Sequence, residues 1–271
     1  MERDFWGTYV GNNRVLIVPK YGGVLYVCAD DLSLTPRLLV NGVFEPELTN
    51  YLMRCLKKGM VVCDIGANVG YFSVLAGYLV GSQGRLIAFE PNPELYTLLA
   101  DNMIVNEHGR QASTVPKAVS DVNGSIAFHV SKRFRGNSSS QRHSPAYKAT
   151  FHSDAFEEIT VESVVFDDFC EQHGLRVIDL VKIDVEGAEY RVLRGMKKSI
   201  AAGQIKLVVF ELNKSMLQAD AEPLLELLKQ FRQEQVATFH HIHEDGSLEE
   251  RSLESFFESP FIPNILMQLG T

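Results

Sequence analysis

Four carboxylates in this 271-residue chain follow short apolar runs of the kind that form buried strands: Asp64, Glu90, Asp184 and Glu211. A carboxylate at a strand end can accept hydrogen bonds from ribose hydroxyls, take a proton as a general base, or bind a hard cation. Glu186 and Glu189 follow Asp184, three apart and near the start of an expected helix, where negative charge is stabilised whatever its function. The sharpest local pattern is Val61-Val62-Cys63-Asp64-Ile65-Gly66-Ala67-Asn68-Val69-Gly70, a strand running into a Gly-x-Asn-x-Gly turn and then an apolar helix to Val80. Glu90 stands twenty positions after Gly70, where nucleotide-binding α/β folds place the carboxylate that accepts from a ribose. Turn and acid together describe a nucleoside pocket.

The kind of nucleoside follows from what the turn lacks. A dinucleotide fingerprint needs glycine where Asn68 and Tyr71 stand, so that backbone and helix can close on a pyrophosphate. No Gly-x-x-x-x-Gly-Lys-Ser/Thr loop for a triphosphate occurs either. A nucleoside without phosphates fits best, and S-adenosylmethionine (SAM) is the common one.

Alternating elements must hold these groups. From Val61 to about Leu212, strands (Val61–Asp64, Arg85–Glu90, Ser113–Val119, Asp179–Asp184, Lys206–Glu211) alternate with helices (Gly70–Val80, Pro93–Asn106, Glu186–Met196, Glu222–Gln233). Gly124–Val130 reads as a hairpin-like return after the third strand. Such alternation predicts an open, mostly parallel sheet with helices on both faces and ligands at the carboxyl ends of its strands. Before it, Arg14–Pro19 and Val24–Cys28 flank a Gly22-Gly23 turn as a hairpin, and Glu45–Lys58 has helical spacing closed by Gly59. Residues 1–58 are therefore expected to cover a main domain of residues 59–271, with substrate contact from the Trp6 or Tyr21 region as the lesser alternative. Strands at Gln235–His240 and Asn264–Leu269, with an Asp245-Gly246 turn between them, suggest an antiparallel closing pair. Ser131–Ser153 carries five Lys/Arg and no acid, which suits either solvated surface or a lid over an anionic acceptor.

Composition narrows the function classes. A net charge of −8 gives no basic field for nucleic acid, and no apolar run is long enough to span a membrane. Cys28, Cys55, Cys63 and Cys170 show no Cys-x-x-Cys pairing and suit free thiols in a cytoplasmic protein. His240 and His241 would point to opposite faces of a strand, which disfavours zinc.

Asp64–Ser73, Phe89-Glu90-Pro91, Asn137-Ser138-Ser139 and Val181–Glu189 together resemble the motif set of FkbM-type SAM-dependent methyltransferases, in order, over about residues 44–212. The resemblance implies a Rossmann-like class I methyltransferase fold: an α/β, mostly parallel seven-stranded sheet with an antiparallel final strand, here with an N-terminal hairpin and helix. It implies O-methylation of a hydroxyl on a sugar, polyketide or other small metabolite. Cofactor contacts are then expected from Asp64, Gly66, Asn68, Gly70, Glu90, Pro91, Asn92, Ala118, Ser138 and Asp184. Asp184, Glu186 and Glu211 are the catalytic candidates, and Asp184 with Glu211 could share Mg²⁺. Asp184 could equally cap helix Glu186–Met196, since Asp is a favoured N-cap. The partner is a small hydroxyl acceptor, with no nucleic acid and no membrane; a homo-oligomer stays open. Two rivals are a non-catalytic SAM-fold partner protein and, disfavoured by Asn68 and Tyr71, an NAD-dependent dehydrogenase.

Glu90→Ala should weaken SAM binding by about 1–3 kcal/mol, because the ribose loses a charge-assisted acceptor. Calorimetry on the purified chain reads this directly. Unchanged SAM affinity in the variant, or tight NAD binding by the parent chain, would refute the pocket assignment.

Overall fold

The computed structural model describes residues 7–151, 153–234 and 237–270, so the expected contact from Trp6 lies outside it. β1 (Gly7–Gly11), β2 (Arg14–Ile17) and β3 (Leu25–Cys28) form an antiparallel sheet, of which the β2–β3 pair is the expected hairpin. Helix Thr35–Asn41 follows, and then helix Pro46–Cys55. That second helix ends three residues before the expected Lys58. Leu56 turns extended, with ψ 138°, and drops its side chain into the core, and Gly59 serves the turn into the next strand instead.

Next come β4 (Val61–Ile65), β5 (Arg85–Phe89) and β6 (Ala112–Val115), linked by helices Tyr71–Val80 and Pro93–Val105. Strand alternation sends Cys63 and Ile65 to one face of the sheet and Val62 and Asp64 to the other. Both faces are covered. Cys63, Ile65, Val181 and Ile183 pack in one cluster, and Val62 and Leu180 join the cluster that contains the N-terminal sheet. Helix Tyr71–Val80 is apolar almost all round because it is sandwiched between the sheet and that cover.

The expected strand Ser113–Val119 divides at Pro116, which has no N–H to continue a ladder. Its second part, β7 (Ala118–Ser120), leaves the main sheet for a small separate one. There β8 (Gly124–Ser131) does not fold back on β7. The long β9 (Phe156–Val165) lies between them, parallel to β7 and antiparallel to β8.

β10 (Ile178–Ile183) and β11 (Ile205–Asn213) complete the parallel centre. β12 runs over Thr238–Ile242, the expected start at Gln235 lying outside the described residues, and the Asp245-Gly246 turn joins it to β13 (Leu248–Glu250). β14 (Phe261–Gln268) then inserts between β11 and β12, antiparallel to both. The main sheet thus runs β13-β12-β14-β11-β10-β4-β5-β6, eight strands where seven were expected. The extra one, β13, is three exposed residues on the edge. None of the helices among the described residues is long and apolar enough to cross a membrane.

Two buried asparagines pin the cover to the main sheet's helices. Asn102 Nδ2 donates to the carbonyls of Tyr26 (2.9 Å) and Val69 (2.7 Å), and its Oδ1 accepts from Tyr26 N (2.7 Å). Asn106 makes the same paired contact with Val24. Asn102→Ala would leave three backbone groups without partners and should cost about 2–4 kcal/mol. Urea denaturation measures this, and a loss under about 0.5 kcal/mol would mean that the asparagine is not what holds the cover.

Candidate active site

A cavity of about 490 Å³ opens at the carboxyl ends of β4, β5, β10 and β11. Its floor is the turn after β4. Gly66 and Ala67 donate their N–H groups to the Phe89 carbonyl at 3.0 and 2.9 Å, drawing this turn against the end of β5. Gly66 has φ +78°, and a Cβ there would lie 1.8 Å from the Asp184 carbonyl oxygen, so no other residue fits. Such a bare backbone cradle suits a flat ligand packed against it.

Glu90 ends β5 in the same cavity. One carboxylate oxygen accepts from Asn68 N and the other from Asn92 N, each at 2.8 Å. Burial pushes this carboxyl up to about 7 in spite of the two N–H donors, which pull the other way. Each oxygen has a further lone pair for a ribose hydroxyl.

The chemical end of the cavity is crowded with acid. Lys182 is 4% exposed and its ammonium lies 3.2 Å from Asp184 Oδ2 and 3.4 Å from Asp64 Oδ1. Register explains this, because Lys182 pairs directly with Asp64 across β10 and β4. Burial pulls the Lys182 pKa down, but Asp184, Asp64 and then Glu45 outweigh it and keep the ammonium charged. Asp184, Glu186 and Glu211 bring one carboxylate oxygen each to within 4.8 Å of the others. Burial first, then Asp184, raises the Glu186 carboxyl; burial, then Glu186 and Asp184, raises that of Glu211. Negative charge is packed here with one internal lysine to balance it.

The expected residues divide by depth. Gly66, Asn68, Glu90, Pro91 and Ala118 line the cavity. So do Ser138, Asp184, Glu186 and Glu211. Asp64, Gly70 and Asn92 stand behind its wall. Asp64 accepts from the Ser73 hydroxyl at 2.6 Å, Gly70 precedes helix Tyr71–Val80, and Asn92 caps helix Pro93–Val105 through Glu94 N at 3.0 Å. These three shape the site from outside.

The helix after Asp184 runs Glu189–Arg194, not Glu186–Met196, so Asp184 is no N-cap. Glu186 sits in the preceding turn at φ 53°, and Glu186 and Glu189 do not share a helix face. Glu189 instead turns inward, 1% exposed, and accepts from Val185 N and Gly187 N at 3.3 and 3.2 Å, bracing the turn that presents Asp184 and Glu186.

The described residues of the segment 131–153 include a short helix at Pro145–Thr150. Ser139 Oγ donates to the Glu186 carbonyl at 2.7 Å, tying this segment to the acidic turn. Its arginines, which suited either solvated surface or a lid over an anionic acceptor, are differently placed. Arg135 is buried and ion-paired with Asp30 (2.9 Å) and Glu94 (3.1 Å), and Arg133 lies outside the cavity lining. Tyr147 and Phe151 line the cavity beside the paired Arg135, with Arg37, Phe44 and Glu45 from the N-terminal cover. Sequence reasoning missed Glu45 and Lys182. A lysine within the apolar run Leu180–Ile183 was the available signal for Lys182; Glu45 carried none.

Residues 64–243 match the family described as "Methyltransferase FkbM domain". NoeI, a 2-O-methyltransferase of Sinorhizobium fredii, is 32% identical over 183 residues, which cover 62% of this chain and 73% of NoeI. The hexuronic acid methyltransferase AglP of Haloferax volcanii is 23% identical over 183 residues, with 67% of each chain covered. An O-methyltransferase from Bacillus cereus, solved with SAH, superposes with a TM-score of 0.44 at 9% identity, over 90% of this chain and 84% of that one. The chain belongs to the FkbM methyltransferase family and is a SAM-dependent O-methyltransferase with the class I fold.

Ionised Glu90 is the form that accepts from ribose hydroxyls, so nucleoside affinity should fall as the pH drops through about 7. The free protein behaves oppositely. A carboxyl raised from 4.5 to about 7 stabilises the fold most below 4.5, and that contribution fades as pH rises through 7. Adenosine, which has the ribose but no group titrating in this window, is the suitable probe. Calorimetry should show weaker binding at pH 6 than at pH 8, and equal affinities would contradict the Glu90 contact.

Proposed function

We propose that this O-methyltransferase methylates a hydroxyl of a neutral, sugar- or polyketide-like small molecule seated between Phe44, Tyr147, Phe151 and the acidic cluster. The observation that carries the reading is one cavity that joins the Gly66–Glu90 cradle to Asp184, Glu186 and Glu211. The cradle fits the cofactor: Glu90 would hold the ribose, with Gly66, Asn68, Pro91, Ala118 and Ser138 around the nucleoside. Bound SAM supplies a methyl group on a positively charged sulfur. Asp184 and its neighbours would set negative charge around that centre, and the aromatic walls would orient the acceptor and exclude water. Relatives named for a 2-O position, a hexuronic acid and 31-O-demethyl-FK506 support a hydroxyl on a glycoside or macrocycle. The crowding of acid, with Arg135 already paired, favours a neutral acceptor over an anionic one. The net charge of −8 and four free cysteines support a cytoplasmic enzyme of small metabolites.

A second reading concerns Mg²⁺. The oxygens of Asp184, Glu186 and Glu211 lie close enough together to share one hard cation, which would lower the acceptor's pKa.

Asp184→Asn keeps the shape and removes the charge. With methyl glycosides as acceptors and mass spectrometry as readout, turnover should fall about 10²–10⁴-fold. Stability should fall as well, because Lys182 loses one of its two carboxylates. EDTA inhibition reversed by Mg²⁺ would establish the metal reading, and EDTA-insensitive turnover would end it. Near-wild-type turnover in Asp184→Asn would remove Asp184 from the chemistry.

A further inference from the structure

Glu45 is an unusual residue in an unusual place. It comes from the N-terminal cover, not from a strand end, yet it lines the cavity and faces Lys182, Asp184 and Glu186. Its backbone is left-handed, φ 40° and ψ 75°, a conformation that costs a non-glycine residue free energy. The segment is fastened on several sides. The Tyr71 hydroxyl accepts from Phe44 N at 3.2 Å, the Thr49 hydroxyl donates to the Phe44 carbonyl at 2.7 Å, and Thr49 N donates to the Glu45 carbonyl at 2.9 Å. From the far end of the chain, Asn264 Nδ2 donates to Glu45 Oε2 at 3.1 Å. Among the described residues no donor meets Oε1.

Most of the other carboxylates are more committed; Glu186 shares the freedom of Glu45 but sits on the acidic turn itself, not beside the aromatic wall. Asp184 is bound by the Lys182 ammonium, and Glu189 is held by backbone N–H groups. Glu211 takes a side-chain hydrogen bond from Asn213. Glu45 is the carboxylate that the cover brings to the cavity, beside Phe44, so an acceptor entering next to the aromatic wall meets it.

We propose that Glu45 is the general base of the reaction, aimed by Asn264 and by the strained turn before helix Pro46–Cys55. The proposal rests on the O-methyl-transfer reading above. The acceptor hydroxyl gives its proton to Glu45 Oε1 while its oxygen forms the new bond to the methyl carbon. The carbon–sulfur pair stays on sulfur, so a carboxylate and a sulfonium become a carboxylic acid and a neutral thioether. Water then takes the proton from Glu45.

The test uses the full chain, SAM, and a panel of methyl hexosides with one methyl hexuronide. Glu45→Gln keeps an oxygen for Asn264 and should lower kcat by about 10²-fold or more, with KM moved less than threefold. SAM is held at saturation, because the lost charge weakens its binding, and calorimetry should find acceptor affinity in the presence of S-adenosylhomocysteine unchanged within threefold. Glu45→Asp, which keeps the charge but draws it back, should fall between Gln and wild type; it also covers the case in which Gln fails to fold. Formate should restore part of the turnover of Glu45→Ala, which a purely structural residue would not allow. A kcat for Glu45→Gln within threefold of wild type, or a loss confined to KM, overturns the proposal. Wild type that binds SAM but methylates nothing in the panel overturns the O-methyl-transfer reading beneath it.

Discussion

The ammonium of Lys182 is the constraint on which the site depends. A charge this deep in a parallel sheet would be severely penalised by lost hydration if it stood alone. It is tolerable because register sets Asp64 directly across on β4 and because Asp184 follows immediately after the last residue of β10. The three groups form one ionic row on the same face of the sheet, with the ammonium also 5.2 Å from the centre of the Phe72 ring. Moving β10 by one residue would turn Lys182 to the face of Val181 and Ile183, and moving β4 would turn Asp64 away from it. The sheet's register and the place of Asp184 are therefore a single fact.

Around that row, Glu45, Glu186 and Glu211 have no cation of their own. Their carboxyls are raised by burial and by one another, so the free site carries electrostatic tension. A positively charged sulfur, or a divalent cation, would relieve it on arrival and lose that benefit when its charge is gone. The same crowding that destabilises the free protein thus discriminates between a charged methyl donor and its neutral product. Both the raised carboxyls and the close approach of Gly66 to Asp184 are tolerated because the surrounding apolar clusters are large.

What the sequence revealed was what is local along the chain. The turn from Asp64 to Gly70 and the carboxylates Glu90 and Asp184 each depend on a few neighbouring residues and fall where their spacing implied, whereas Glu211 does not end its strand, because pairing with β14 carries β11 on to Asn213. The misjudged parts depend on contacts across long separations. Asn264 reaches Glu45 across 219 residues, and no local pattern announces that. Arg135 looked like a free cation because Asp30 lies 105 residues away. β9 was legible in principle, since Phe156–Val165 is rich in β-branched residues, but its partner could not be guessed: it separates two strands that look like a hairpin. The helix start moved from Glu186 to Glu189 because Glu189 serves its own preceding turn.

The small sheet of β7, β9 and β8 carries the segment 131–153 on its own frame, apart from the sheet that bears the cradle. Ser139 ties the segment to the acidic turn, and beyond Ser139 it is held further by Gln141, which donates to Asp220, and by the Arg142 carbonyl, which accepts from Gln218, before it reaches β9. The molecule is thus divided into a handle and an exchangeable tool head. Replacing the stretch between Ser139 and β9 alters the wall an acceptor meets while leaving the cradle's backbone untouched. Divergence or design can re-aim such an enzyme at a new alcohol by swapping one outlying piece, without learning again how to grip its donor.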